Sequence, residues 1–286
     1  MDRYQLRYFL AVVDAGNFSR AAARVNVAQP TLSVAIAKLE ASLGARLFHR
    51  SSQRVHLTEA GTRLLDHARR IESEFNLAER DVAGPRPTRL LRLGVLATIA
   101  AGLVERLVER RAAGEGEALE IVEGGERDLI ARLERGRIDA ALTVLRPDSR
   151  NYGREGLFRE PYLLALPARH RLAGEKSVAA EALSEEAMIL RRQCEALPET
   201  SRHFTARGVR PRFSFRTTSD ERALAMVRAG LGVTVMPEGL PAEGVARPAL
   251  AGFGLSREIG LLFPPAFDEE ARAASPTIRA ARELPG

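Results

Sequence analysis

The 286-residue chain reads as an α/β protein headed by a winged helix-turn-helix. Three observations predict this. Residues 18–50 hold two short helices around a tight turn; residues 58–82 carry a long apolar repeat; and from residue 89 short apolar runs alternate with amphipathic ones.

Leu6, Phe9, Leu10 and Val13 give a first helix its apolar face. Phe18-Ser19 offers an apolar residue followed by an N-cap, opening a second helix through Ala22, Ala23 and Val25. Asn26-Val27-Ala28 is the turn. Pro30 suits the first helical position, where a missing N–H costs nothing, which puts Gln29 at the N-cap. Leu32, Ile36, Leu39 and Leu43 then recur at spacings of four, three and four, one stripe of a third helix that Gly44 stops. The other side presents Pro30, Ser33, Val34 and Ala37, with Gln29 and Thr31 in the first turn. Such small or hydrogen-bonding groups suit the major groove of DNA. Runs at 46–49 and 54–57, joined by Ser51-Ser52-Gln53, form the wing.

Charge points the same way. Residues 1–54 hold Arg3, Arg7, Arg20, Arg24, Lys38, Arg46, Arg50 and Arg54 against Asp2, Asp14 and Glu40, which is five of the net +6. A basic module on a nearly neutral remainder fits phosphate contact better than membrane attachment, since no long apolar run is present. Charges begin at the second residue, so no signal peptide is expected and the location is cytoplasmic. The single cysteine, Cys194, excludes an internal disulfide or a thiolate zinc cluster. Two lysines among 43 basic residues reflect codon bias of a GC-rich genome. His49, His56, His67, His170 and His203 show no metal spacing, and neither a P-loop nor a nucleophile elbow occurs. Gly230-Leu231-Gly232 lacks the third glycine of a dinucleotide fingerprint and precedes a strand instead of following one. No enzyme, cofactor or metal is therefore expected. A solute-binding protein would leave residues 1–84 without a role.

The segment 22–50 resembles the N-terminal domain of LysR-type transcriptional regulators. Ala22, Ala23, Gln29, Pro30, Leu32, Ser33, Ile36, Leu39, Glu40, Leu43, Gly44, Leu47, Phe48 and Arg50 match its pattern. Val25 stands where the pattern has leucine, and Ala28 where it has serine, removing one hydroxyl near the DNA. By matching position, Gln29, Pro30, Ser33 and Val34 would face base edges. Thr31, Lys38, Arg50 and Arg54 would hold phosphates, the last two from the wing.

Over 58–82, Leu64, Ala68, Ile71, Phe75, Ala78 and Val82 alternate spacings of four and three, the seam of a coiled coil capped by Thr58. The seam is shorter than the three to four heptads that decide such a pattern, and packing on its own chain is the alternative. The family's linker helix dimerises at this place, which implies two recognition helices, an interrupted palindrome in double-stranded DNA, and homotetramers beyond the dimer. Gly84-Pro85-Arg86-Pro87 ends the helix. The expected domains are 1–58, the linker 59–88, and 89–286.

In the last of these, strands are expected at 91–96, 119–122, 138–144, 162–166, 188–190, 212–216, 232–236 and 257–263. Helices are expected at 98–111, 126–135, 198–207, 220–229 and 268–283. The segments 136–142 (GRIDAAL) and 230–237 (GLGVTVMP) resemble elements of the family's effector-binding domain, itself similar to periplasmic binding proteins. That resemblance implies two α/β subdomains, 89–161 with 265–286 and 162–264, and a small-molecule effector between them; RNA polymerase is the partner such a regulator would act on. Ligands of open α/β sheets sit beyond the carboxyl ends of strands. Thr98, Thr143, Thr217 and Thr218, with Arg191 and Cys194, therefore form the candidate effector site, suited to an anionic or polar molecule. Helix capping is the equal alternative for each threonine. Cys194 reads first as a small buried apolar residue and second as a redox sensor activated by Arg191 and Arg192.

Overall fold

A computed structural model describes all residues except 51–54, 83–88, 112–115, 148, 150–151, 242, 266 and 285–286; for residues 50, 73, 77, 79–82 and 89 it describes the backbone alone. The chain divides into two compact units, Met1–Arg86 with Ala131–Arg137, and Pro87–Ile130 with Ile138–Gly286.

The first unit runs α1 (Arg3–Ala15), α2 (Phe18–Arg24), α3 (Gln29–Leu43), β1 (Phe48–Arg50), β2 (Val55–Leu57) and α4 (Glu59–Val82). Asp2 and Gln5 close a capping box at the start of α1. Asn17, not Ser19, caps α2: its Oδ1 accepts from the backbone N–H of Ser19 at 2.8 Å and Arg20 at 3.2 Å. Position 28 is the N-cap of α3, where Ala28 makes no side-chain bond. Gln29 is thus already inside the helix and cannot reach the first-turn N–H groups; its Nε2 donates instead to Ser33 Oγ at 3.0 Å. Gly44 ends α3 at φ 64°, a left-handed conformation that favours glycine.

Leu32, Ile36 and Leu39 are fully buried with Leu6, Phe9 and Leu10 of α1, Ala21 and Ala22 of α2, and Leu47 and Phe48. The Phe48 ring lies 5.2 Å from Phe9 and 5.9 Å from Phe18, centroid to centroid. Leu43, expected in this stripe, is 41% exposed, being the last helical residue before the chain turns away at Gly44. The wing strands start later than expected because Arg46 and Leu47 are bonded elsewhere. Glu40 Oε1 accepts from Leu47 N at 2.8 Å and Phe48 N at 3.4 Å, and Arg46 O accepts from Thr58 Oγ1 at 2.6 Å. Thr58 Oγ1 also accepts from Gly61 N, capping α4. Along α4, Ala68 is fully buried and Leu64 and Ile71 pack against this same core, whereas Phe75 and Ala78 are exposed. The first half of the apolar repeat is therefore covered by its own chain.

The second unit begins with β3 (Arg89–Leu96), α5 (Ala101–Arg110), β4 (Glu117–Gly124), α6 (Glu126–Glu134) and β5 (Ala140–Val144), where β4, β3 and β5 pair in parallel. Next come β6 (Gly153–Pro167), β7 (Ser177–Val178), a 3-10 turn (Ala180–Leu183), β8 (Ala187–Arg191), α7 (Leu197–Ala206), β9 (Arg212–Thr217) and α8 (Asp220–Arg228). The chain continues through β10 (Thr234–Pro237), β11 (Val245–Ala246), β12 (Ala249–Leu250), β13 (Ser256–Phe263), α9 (Glu269–Ala274) and α10 (Pro276–Arg282). One sheet runs in the order β10-β6-β13-β5-β3-β4, with β11 also on β6. Small parallel pairs are β8-β9 and β12-β7.

β6 changes partner along its length. Its first part pairs with β13, up to Pro161 opposite Ser256, and from Tyr162 it pairs with β10. β13, expected in the second subdomain, instead pairs with β5 on its other side, Ile259 opposite Val144 through Leu262 opposite Ala141. Its apolar residues Ile259, Leu261 and Leu262 are buried on both faces, which a strand achieves only inside a sheet. A bulge at Ile259/Gly260 accompanies this; a Cβ on Gly260 would lie 2.3 Å from Glu155 O. The single helix expected over 268–283 is two, because Pro276 has no N–H to continue one, and Ser275 Oγ caps the second by accepting from Ile278 N. The helix expected from Thr98 begins three residues later, leaving Thr98 in a turn.

Replacing Glu40 with alanine leaves the Leu47 and Phe48 N–H groups unpaired at the root of the wing. Urea unfolding should show a loss of about 1–3 kcal/mol for Glu40→Ala, and a loss below a few tenths would show that the carboxylate does not hold the wing.

Candidate functional site

Two groups of residues stand out, one in each unit. On α3, Gln29, Pro30, Thr31, Val34 and Lys38 are exposed and Ser33 is half-buried. They lie opposite Leu32, Ile36 and Leu39, whose burial fixes the roll of the helix. Val34, at 55% exposure, is an apolar residue turned to solvent between polar ones. This surface offers hydrogen-bonding groups (Gln29, Thr31, Ser33), one methyl-bearing contact and a cation. Arg50 lies in β1, whose side chain there is outside the description, and Arg54 falls outside the described residues.

In the second unit the six threonine, arginine and cysteine candidates do not form one site. Thr143 lies inside β5, 1% exposed, its hydroxyl buried without a partner. Thr218 is exposed, and Thr217 Oγ1 accepts from Ser219 N at 3.0 Å, an ordinary turn bond. Arg191 is 3% exposed and fully engaged: its Nε donates to Asp220 Oδ1 at 2.6 Å, and its Nη1 donates to Val235 O at 3.0 Å and Cys194 Sγ at 3.3 Å. Arg191 and Cys194 share the wall of a mainly apolar cavity of about 550 Å³ beneath α7. Burial pushes the Cys194 thiol above its ordinary range, with Glu195 adding to that and Arg191 only partly opposing it. The expected thiolate activation by arginine is thus outweighed by desolvation; Arg192 points to solvent and contributes its backbone N–H to Thr217 O.

Thr98 belongs to a different cluster, one built on a buried cation. Arg257 opens β13 at 4% exposure. Its Nε donates to Glu160 Oε1 at 2.8 Å, its Nη2 to Thr98 O at 2.9 Å, and its Nη1 to both Thr98 Oγ1 at 2.9 Å and the Glu195 carboxylate. Glu195 Oε1 also accepts from Tyr162 OH at 2.7 Å, and its Oε2 from Thr98 Oγ1 at 3.0 Å. Glu160 is completed by Gly239 N at 2.7 Å. Elements as distant in sequence as the turn after β3, the partner switch in β6, the β8–α7 turn and the start of β13 meet here. Burial alone would raise the Glu195 carboxyl, but the Arg257 charge and the Tyr162 hydroxyl override it and hold the group below its ordinary value of 4.5. Burial and the Glu195 charge push the Tyr162 phenol strongly up, so it stays a donor. Arg257 also borders a cavity of about 330 Å³ with Arg146, Arg154, Arg159, Glu195 and Glu258. Sequence reading missed Glu160, Tyr162, Glu195 and Arg257. The one local signal was Arg257-Glu258 heading an otherwise apolar strand.

Residues 4–62 match the family model for the bacterial regulatory helix-turn-helix of the lysR family, and residues 85–284 match the LysR substrate binding domain. The chain belongs to the LysR family. LysR-family proteins are DNA-binding transcriptional regulators with an effector-binding domain, not enzymes, and they form oligomers. Among relatives of this LysR-family chain, a probable hydrogen peroxide-inducible genes activator of Mycobacterium avium is 35% identical over 275 residues, 90% of this chain and 86% of that protein. The DNA-binding transcriptional dual regulator OxyR of Escherichia coli is 30% identical over 83% of this chain and 79% of its own length. A full-length OxyR variant of Pseudomonas aeruginosa superimposes with a TM-score of 0.61 at 25% identity, covering 99% of this chain and 95% of that one. No helix among the described residues is long and apolar enough to cross a membrane, and no described cluster of His, Cys, Asp and Glu has the makings of a metal site.

The depressed Glu195 carboxyl has a consequence for acid stability. A group ionised more easily when folded stabilises the fold fully above its unfolded value, here 4.5, and loses that contribution as pH falls through its lower folded value. Glu195→Gln removes the ionisation. Unfolding free energies of the two proteins should differ most at neutral pH and converge below 4.5; a gap independent of pH would refute the ion pair's role.

Proposed function

We propose that this chain is a cytoplasmic regulator that reads an interrupted palindrome in double-stranded DNA as a homo-oligomer, a dimer through α4 assembling to a tetramer. A small molecule entering the unit that begins at Pro87 alters its action at a promoter, where RNA polymerase is the downstream partner. The observation that carries this reading is the roll of α3. Leu32, Ile36 and Leu39 are wholly buried, so Gln29, Pro30, Thr31, Val34 and Lys38 are turned outward together. A helix presented this way fits a major groove, with Gln29, Pro30, Ser33 and Val34 toward base edges and Thr31, Lys38, Arg50 and Arg54 toward phosphates. Exposed Phe75 and Ala78 on α4 leave an apolar face for a second copy. The effector reading is of a small anionic molecule, favoured by the four arginines against three glutamates around the 330 Å³ cavity.

A second reading has two observations behind it. Several relatives are named as hydrogen peroxide-inducible activators, and Cys194 Sγ accepts a hydrogen bond from Arg191. Against it, the thiol is pushed up by burial, and a single cysteine leaves no partner for an intramolecular disulfide. If peroxide changes DNA binding by the wild type but not by Cys194→Ser, this second reading replaces the first.

The division of labour on α3 is separable by experiment. With DNA from upstream of the gene, Ser33→Ala should change the ranking of half-site variants. Lys38→Ala should weaken all of them alike and reduce the slope of log affinity against log salt by about 1. Equal, uniform losses from both would overturn the assignment.

A further inference from the structure

Glu195 holds its place as a ligand does. Its carboxylate receives Arg257 Nη1, Thr98 Oγ1 and Tyr162 OH, three donors from three other segments of the chain. Those donors do not need Glu195 to stay in position. Arg257 is clamped by Glu160 at 2.7–2.8 Å and by Thr98 O at 2.9 Å, and Glu160 by Gly239 N at 2.7 Å. Tyr162 is anchored in β6 opposite Pro237. The cradle is therefore built by the sheet, while the carboxylate filling it comes from consecutive turns between β8 and α7, next to the exposed Arg192 and Gln193. One side of the carboxylate faces the 330 Å³ cavity, and Arg154 on that cavity's wall pairs with no acid among the described residues.

We propose that the Thr98, Tyr162 and Arg257 cradle is a binding site for a free carboxylate, and that Glu195 is a tethered ligand occupying it until an external carboxylate exchanges for it. The inference rests on the reading of the second unit as ligand-responsive and names the chemistry of its input. Charge selects the ligand class. A buried guanidinium that loses a counter-ion is strongly destabilised, so a neutral or cationic molecule could not take the place of Glu195. A carboxylate could, because the charge count around Arg257 is unchanged by the exchange. Glu195 would then move into the cavity toward Arg154; Arg146 and Arg159 there already pair with Glu126 and Glu258. Tethering gives Glu195 a high local concentration, so an incoming ligand must compete with it, and removing the tether should expose the intrinsic affinity of the cradle.

Acetate is the probe. In the full-length chain, Glu195→Ala leaves a void that acetate fills, and acetate should raise the thermal midpoint of this variant by several degrees beyond its effect on the wild type at equal ionic strength. Adding Thr98→Val should abolish most of that increment. Glu195→Gln keeps the shape of the side chain and covers the case in which the alanine variant does not fold. Calorimetry should find acetate binding to it at least about tenfold tighter than to the wild type. Equal acetate response in wild type and both variants, or an increment untouched by Thr98→Val, overturns the proposal. Binding of the same wild-type preparation to its upstream DNA is measured in parallel. Loss of DNA binding with intact acetate rescue sinks the regulator reading alone, and intact DNA binding without rescue sinks the cradle alone.

Discussion

Burying the charge of Arg257 is the constraint that organises the second unit. A guanidinium at 4% exposure needs several acceptors at once. Glu160 sits on β6 directly beside the strand that carries it, in register with Arg257 itself. The next residues along β6, Pro161 and Tyr162, are where that strand leaves β13 for β10. The pairing of the buried charge and the change of sheet partner thus occupy the same few residues. A cation placed there ties the two halves of β6 together through side chains where the ladder of backbone bonds passes from β13 to β10. Glu195 and Thr98 then bring the β8–α7 turn and the turn after β3 to that same point.

The first unit depends on the opposite kind of interaction. Its organisation comes from nearly complete burial of a small apolar set, Phe9, Leu32, Ile36, Leu39 and Leu47, with Phe48 packed between Phe9 and Phe18. Polar groups there act at the ends of elements (the Asp2 box, Asn17, Thr58 and the Glu40 bond to the wing) and between helices, where Arg3 of α1 meets Glu72 of α4. Because α3 is clamped by one buried stripe, its outward residues are presented in a defined order without any bond holding them individually. Among the described residues, Gln29 and Ser33 engage one another, and that hydrogen bond pre-orders two of the groups facing out. The loss of a capping hydroxyl at Ala28 is tolerated because Pro30 removes one of the N–H groups a cap would serve.

What was legible in the sequence was what local physics decides. Gly44, Pro30 and Thr58 announce element ends by chemistry that acts over a few residues, and the stripe through Leu39 follows from helical periodicity. The errors are equally local in kind. Ser19 and Asn17 are both competent caps two residues apart, and only the backbone turn selects Asn17. Leu43 obeys the period of the stripe but lies where the stripe runs out. The 257–263 run reads as a strand, yet nothing in it says that β5 is its partner. The Arg257 cluster was illegible for a stronger reason: its pairs are 62, 97 and 159 positions apart. In a chain with 43 basic residues, one buried arginine does not stand out by composition. A place at a strand end singles out Thr98 but says nothing of which groups surround it. Its hydroxyl serves the chain's own Arg257 and Glu195.

Cys194 and Glu195 are neighbours whose side chains report to different surroundings. The thiol meets Arg191 and the apolar cavity beneath α7, and the carboxylate meets Arg257, Tyr162 and Thr98. The turn that joins β8 to α7 is thereby held from both sides. On one side it depends on Arg191, itself fixed by Asp220 at the first turn of α8 and by Val235 O of β10. On the other it depends on the switch point of β6. Both side chains leave the same short stretch of backbone between β8 and α7. Sγ and the carboxylate are thus anchored to different groups through one short stretch of backbone. Holding the turn in this way needs no long path. It follows from two adjacent residues being anchored in two different parts of one unit.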